Sequence, residues 1–372
     1  MLHRVISFGP DLQILDPDGT GGLKQVHRYA HYRIANRILW AAWRRLPGTR
    51  YSPKLPGTFS AAYADWLASR WVSASKIFHG WAGLSLISLQ AAASQGAITM
   101  LENPIMHPSY WQQTVLEECE AFGVRPRDCR AVLHSALINR MEREYRLCDF
   151  IIVPSAVARD SFERAGHSGK AIVVHAGVDS QFFTPASVRD PTPLFRVCYT
   201  GRVELTKGVI HLLQAWKRLN LPNAELVLIG EVTPEMHPFL KGYALPNVRL
   251  TGFIAPAEVA GWYRRSHLFA FPSINEGLAR VLFEAMSSGL PVVATAQSGA
   301  EECVTPGVDG TIVPARDANA LAQTIFHHYQ HREQTAAMGS AARSKIEQQF
   351  TLAHYEERMI NIYASLPSRQ SC

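Results

Sequence analysis

The chain has 372 residues, 47% of them hydrophobic and 18% charged, with a formal net charge of +6. That length has room for two domains of ordinary size, and the apolar content with near-average Gly and Pro is that of a globular protein with sizeable cores, not a disordered or low-complexity chain. The cysteines at 119, 129, 148, 198, 303 and 372 form no CxxC or CxxH spacing, so they read as reduced thiols in a reducing compartment rather than as a metal site or a disulfide framework. Met1 is followed by a short strand and not by a long apolar region, which gives no secretory signal. The longest uncharged run, 80–101, is broken by Ser88, Gln90, Ser94, Gln95 and Gly96, so no transmembrane span is expected.

In chain order, residues 3–8 read as a strand followed by a Gly/Asp/Pro loop, and a basic helical region then runs to about residue 46. A turn-rich connection at 48–57 leads to a helix over 59–71, a strand over 76–79, a helix over 84–94 and a strand over 97–102. Helices over 110–122 and 131–146 come next, then a strand over 150–154, with Ser155 as cap of the helix after it, and a strand over 171–175. The segment 184–193 carries three prolines and is the best linker candidate. Beyond it lie strands over 195–199, 225–229 and 248–251 and helices over 209–219 and 258–265. The unit 267–295 follows, then a strand over 310–314 and helices over 319–329, 336–348 and 352–366. Strand and helix alternate throughout, which predicts parallel α/β sheets.

Charge is unevenly placed. Between residues 19 and 64 there are eight Lys or Arg and no Asp or Glu, more than the net excess of the whole chain. With Tyr29, Tyr32, Trp40 and Trp43 in it, this segment suits anionic lipid headgroups. The competing reading is a solvated helix pair with snorkelling arginines. Nucleic acid is not expected, because no recognised module accompanies the charge.

Two stretches carry chemistry-bearing residues. In FPSINEGLARVLFEAMSSGLPVVAT (271–295) a buried strand ends at Pro272, Ser273 and Asn275 are expected to cap, and Gly277 allows a tight backbone path. A helix over 278–288 then ends at Gly289, before the next strand at 291–295. Such a turn points helix N–H groups out of the carboxyl edge of a parallel sheet, a ready phosphate site. Glu276 and Glu284 flank it; were both helical they would stand roughly 12 Å apart, too far for a retaining glycosidase pair. They either have separate jobs or are two solvated glutamates. In TGRVELTKG (200–208), Arg202 and Lys207 lie in a turn before a helix, where the dipole disfavours cations unless an anion sits there. The competing reading is a solvated surface.

Glu276 and Glu284 in this surrounding sequence closely resemble the EX7E motif of the retaining glycosyltransferases of family 4. The resemblance extends from about residue 199 to 317 through TGRVELTKG, VLIG, VRLTGFI, the central stretch and PGVDGTIVPARD, and more weakly back to about residue 101. It implies a GT-B fold of the α/β class, with two Rossmann-like domains facing across a cleft. Residues 1–185 would be the acceptor-side domain and 186–351 the nucleotide-sugar-binding domain, with 352–372 crossing back onto the first. It further implies that Arg202 and Lys207 hold the donor diphosphate and stabilise the leaving group, that Glu276 contacts the donor sugar and that Glu284 contacts the ribose. Gly201 and the backbone of Gly277, Leu278 and Ala279 would line the donor, while Gly252 and Phe253 would meet the base; Phe253 is otherwise a core aromatic. His107 is the best match to a histidine of the first domain, and His79 the runner-up.

The sequence departs from the family in two places. Where the usual pattern is E-G-F-G this chain has E-G-L-A, so the approach of backbone to ligand at Ala279 is in question. The glycine-rich loop after the first strand is represented at most by Gly21-Gly22. The implied activity is transfer of a sugar from a nucleoside-diphosphate sugar to a hydroxyl of a saccharide or lipid-linked acceptor, without metal or cofactor. It would be placed in the cytoplasm, at the inner face of the membrane through residues 23–50, in envelope or exopolysaccharide synthesis. The alternatives are a GT-B nucleotide-sugar epimerase and a non-catalytic donor-binding homologue.

Overall fold

A computed structural model describes residues 5–7, 26–28, 54–72, 75–187, 194–243 and 245–366. Most of the basic segment offered above as a membrane contact, including the aromatic residues at 29, 32, 40 and 43, lies outside the described residues, as does the linker part 188–193. No helix among the described residues is long and apolar enough to cross a membrane. The chain divides into two compact units, one of residues 1–101, 133–149 and 368–372, the other of residues 102–132 and 150–367. This division differs from a boundary at 185, because segments near 104, 111 and 155 make close contacts with the loop at 275–277.

In the first unit β1 (Val5–Ser7) and β2 (Val26–Arg28) pair in parallel. The helix Lys54–Ser69, β3 (Ile77–Trp81), the helix Leu86–Ser94, β4 (Ile98–Glu102, up to residue 101) and the helix Ser135–Leu147 complete it. The enclosed carboxylate of Asp65 accepts from Ile87 N at 2.6 Å and from Ser88 N at 2.9 Å, the orphan donors of a helix start, and pairs with Arg140. Glu144, one turn beyond Arg140, accepts from the backbone N–H groups of Gly83 and Ser85. One buried ion cluster thereby ties three helices together.

The second unit is built on a six-stranded parallel sheet of order β12-β11-β10-β7-β8-β9. Its strands are β7 (Phe195–Thr200), β8 (Ala224–Ile229), β9 (Val248–Gly252), β10 (Leu268–Phe271), β11 (Val292–Thr295) and β12 (Gly310–Val313). Read from the β9 edge this is the 3-2-1-4-5-6 order of a doubly wound sheet. Every residue of β10 and β11 is buried, which is why their sequences are unbroken apolar runs and not alternating ones. Tyr199, Phe271 and Phe269 stack in series across the sheet, with ring centroids 5.7 and 6.0 Å apart. β5 (Phe150–Val153) and β6 (Ala171–Val173) form a further parallel pair in this unit. The closing helix Leu352–Ser365 starts against Val178, whose carbonyl accepts from Leu352 N at 3.1 Å, and Tyr355 reaches Glu102 at 3.5 Å.

Sequence and structure agree on most elements to within two or three residues. The short helix His237–Gly242 was not foreseen, its HPFLKG sequence being too brief to show a period, and Val26–Arg28 is a strand where the basic region was expected to be helical.

His328 is buried in the second unit with its Nδ1 2.9 Å from Thr335 Oγ1. Burial first, and the neighbouring His327 and His331 second, lower its pKa from 6.5 to about 4. Below pH 6.5 the unfolded chain therefore binds a proton that the folded one refuses, so stability falls as pH drops through this window. We expect up to about 3 kcal/mol to be lost from this group by pH 4. Urea midpoints measured from pH 7.5 to 4.5 should show it as a slope that His328→Gln makes shallower.

Candidate active site

The second unit brings the sequence-predicted residues together where its strand order reverses. β7 and β10 are neighbours in the sheet, yet the chain leaves β7 toward β8 and leaves β10 toward β11, so the loops following these two strands open a crevice at the carboxyl edge. After β7 comes a single helical turn, Leu205–Lys207, then Gly208 in the left-handed region (φ 65°) as N-cap of the helix Val209–Leu219. After β10 the chain runs through 272–279 into the helix Arg280–Ser287. The two loops are fastened to each other: the Thr206 carbonyl accepts from Ile274 N at 2.9 Å and from Ser273 Oγ at 3.1 Å. A Cβ on Gly208 would lie 2.0 Å from the Pro272 carbonyl oxygen, so only glycine permits this approach.

That fastening sets Lys207 beside Glu276, and the two form an ion pair. Lys207 Nζ also lies 3.8 Å from Glu204 Oε1 and 5.8 Å from the centre of the Trp111 ring. Glu204 is fully enclosed; its Oε1 accepts from Thr206 Oγ1 at 3.1 Å and its Oε2 stands 3.2 Å from Arg202 Nε. The Arg202 side chain is 44% exposed, against 10% for Lys207 and 16% for Glu276. The result is two cations and two carboxylates at one sheet edge, with the arginine outermost. An anion entering here meets a guanidinium, an ammonium and the start of a helix.

Glu284 lies on the helix Arg280–Ser287 and accepts from the hydroxyl of the buried Tyr263 at 3.2 Å. Burial raises its pKa, opposed by Arg280 and by that hydrogen bond. It is not a solvated helix glutamate. Gly252 ends β9 with φ 69°, and Phe253 directly after it is 85% exposed, which removes the reading of Phe253 as a core aromatic. A ring so exposed offers its whole face to a planar partner.

Three expectations need correction. Ser273 and Asn275 do not cap the helix: Ser273 bonds to Thr206, Asn275 Nδ2 donates to Trp111 O at 3.2 Å, and the helix begins at Arg280 behind Ala279 with no side-chain cap. In the 277–279 loop the Ala279 N–H is taken by Ser298 O at 3.1 Å and is not offered to a ligand. Gly277 packs protein on both sides, its carbonyl accepting from Ser155 Oγ at 2.5 Å, while Leu278 is buried. His107 is a buried N-cap of the helix Pro108–Ala121, with Nδ1 2.7 Å from Ser109 Oγ and its ring against Phe162 and His167. The structure thus shows it as a helix cap and not at the Lys207–Glu276 cluster. His79, the runner-up, lies in β3 of the other unit, where burial lowers its pKa to about 4.

The sequence reading missed Glu204, Trp111 and Tyr263. Glu204 stood inside the quoted TGRVELTKG; its signal was an acidic residue between two cations just before a helix. Trp111 and Tyr263 gave none beyond being large and aromatic.

Residues 195–331 match the model of the family described as "Glycosyl transferases group 1". The putative colanic acid biosynthesis glycosyltransferase WcaL of Escherichia coli is 30% identical over 193 residues, 49% of this chain and 48% of that protein. The D-inositol 3-phosphate glycosyltransferase of Mycolicibacterium smegmatis is 30% identical over 287 residues, 70% of this chain and 62% of that protein. The chain thus spans about half the length of the first of these relatives and under two thirds of the second. Anabaena HepE, solved in complex with UDP and glucose, superposes with a TM-score of 0.64 at 20% identity over 82% of this chain and 81% of that one. The likeness shows the fold, which is GT-B, a mixed α/β architecture with parallel sheets.

Gly208→Ala should be severely destabilising, by roughly 3 kcal/mol or more, since a left-handed alanine is strained and its methyl meets a fixed carbonyl. Gly242→Ala, whose Cβ would meet nothing within 4 Å, is the control and should leave the thermal midpoint within a degree or two.

Proposed function

We propose, for a chain whose residues 195–331 belong to the group 1 glycosyltransferases, that it moves a sugar with retention of configuration from a nucleoside-diphosphate sugar to a hydroxyl of a saccharide or lipid-linked acceptor. The observation that carries this reading is the convergence of Arg202, Lys207 and Glu276 at the switch point of the doubly wound sheet. A diphosphate placed there takes the guanidinium and the ammonium as counterions, and Lys207 exchanges Glu276 for a phosphate oxygen. Glu276, released, is left facing the sugar hydroxyls. Glu284, held by Tyr263, suits the ribose, and the exposed Phe253 suits the base.

In the reaction the bond from the anomeric carbon to the diphosphate oxygen breaks and its electron pair leaves with the diphosphate. Arg202 and Lys207 stabilise that growing charge, a role two side-chain cations fill without a metal. The acceptor oxygen attacks from the same face, and its proton passes to the departing phosphate oxygen, since no side chain of this cluster stands ready as a base. Relatives named for colanic acid and capsular polysaccharide biosynthesis support an envelope or exopolysaccharide setting. A cytoplasmic protein touching the inner membrane face through residues 23–50 belongs to the same proposal.

Thermal unfolding with UDP-, GDP- and ADP-sugars and their free diphosphates tests the donor site, because a ligand of the native state raises the midpoint. One nucleotide series should shift it by several degrees, and Lys207→Ala and Glu284→Ala should each abolish the shift. No shift with any donor would sink the proposal. With the donor named, Lys207→Ala and Arg202→Ala should each lower turnover by roughly 10²–10³ in a sugar-transfer assay, with folding unchanged by circular dichroism.

A further inference from the structure

Glu204 is the one charged member of the cluster to which the proposed reaction gives no work. Its side chain has no exposure, and a carboxylate withdrawn that far from water is costly unless its oxygens are matched. Oε1 has the Thr206 hydroxyl; Oε2 has no aligned hydrogen bond at all, only the Arg202 Nε at 3.2 Å. The charges that compensate Glu204 are therefore Arg202 on one side and Lys207, at 3.8 Å, on the other.

We propose that Glu204 is a positioning residue that aims both cations at the donor diphosphate; the inference rests on the donor-site reading above. The guanidinium is a rigid plane with its donors in a fixed fork. The ion pair draws the guanidinium toward Glu204 by its Nε side and leaves the two terminal nitrogens, which have no partner among the described residues, for an anion. Lys207 lies between two carboxylates of different kinds. Glu276 is the outer one and can turn to a sugar. Glu204 is the inner one, tied to Thr206 in its own turn, and cannot follow a ligand. It stays as the anchor of Lys207 once Glu276 has let go. A shared inner carboxylate also lets two like charges stand close enough to grip one diphosphate, where they would otherwise repel.

The sign of one substitution separates this role from that of a bystander. Glu204→Gln keeps the shape and an acceptor for Thr206 but removes the charge. A bystander carboxylate only repels the diphosphate, so neutralising it should tighten binding. A positioning carboxylate should, when neutralised, weaken it. We expect calorimetry with whichever of UDP, GDP or ADP stabilises the native protein to show at least fivefold weaker binding for Glu204→Gln. In an Arg202→Ala background the same substitution should cost clearly less, about twofold, because one of the two cations it acts through is already gone and only Lys207 remains to be held. Should Glu204→Gln fail to fold, Glu204→Asp keeps the charge but withdraws it from both cations, and a larger loss in the Arg202-containing background is again expected. Tighter or unchanged binding, or equal losses in both backgrounds, overturns the inference. If no diphosphate binds the unsubstituted protein, or Lys207→Ala binds it normally, the donor-site reading has failed instead.

Discussion

The site depends on how closely two backbone segments lie together. In the turn after β7 the Thr206 carbonyl accepts from two groups of the loop after β10, and Gly208 lets the Pro272 carbonyl approach to where any side chain would stand. This contact exists because β7 and β10 are neighbours in the sheet while being 73 residues apart at their start points, Phe195 and Leu268 being separated by two full strand–helix units. Lys207 and Glu276 meet through that topology. Chain order alone would leave them as an ordinary surface lysine and an ordinary loop glutamate.

Once the loops are fastened, electrostatics orders the groups by depth. Glu204 is fully enclosed, Lys207 and Glu276 are mostly covered, and Arg202 reaches outward. Pairing one buried and one half-buried carboxylate with two cations keeps the edge near neutrality, which a protein interior requires. It also means that an anionic ligand displaces a carboxylate instead of adding to bare positive charge. In the proposed donor complex the outer pair, Lys207–Glu276, is the one that exchanges, its two halves parting to different portions of the nucleotide sugar. Glu284 lies apart from this cluster, with its own hydroxyl partner in Tyr263 and a burial that disfavours its ionised form. Two carboxylates eight residues apart thus work in different surroundings, as their spacing already required.

Much of this was legible because apolar runs and helical periods survive in one dimension. The strands around Phe269 and Val293, the glycine after the TGRVELTK turn and the pair of glutamates all stand where the sequence put them. What the sequence hid was burial and competition for hydrogen bonds. Ser273 and Asn275 have the chemistry of helix caps, yet stronger claims from Thr206 and Trp111 take their side chains. His107 has the chemistry of a ligand-facing histidine, yet it caps a helix whose second residue, Ser109, lies within reach of its Nδ1. Glu204 looked like one more charge in a turn; only its zero exposure marks it out.

The loop E-G-L-A shows why a departure from a family pattern has to be judged position by position. At Gly277 an added Cβ would come within 2.3 Å of Pro104 O and 2.9 Å of Pro154 Cγ, so glycine is demanded by protein packing before any ligand is considered. Ala279 is different. Its backbone, at φ −76° and ψ 107°, is one that any L-residue adopts, its N–H is bound to Ser298, and its methyl is buried. Glycine there would add chain entropy without relieving strain. The two positions look equivalent as letters two apart, but only the first is a close approach of backbone to backbone. Alanine at the second leaves the loop's shape intact, because that shape is held by Gly277, by the Gly299 backbone lying against Leu278, and by the Ser298 carbonyl.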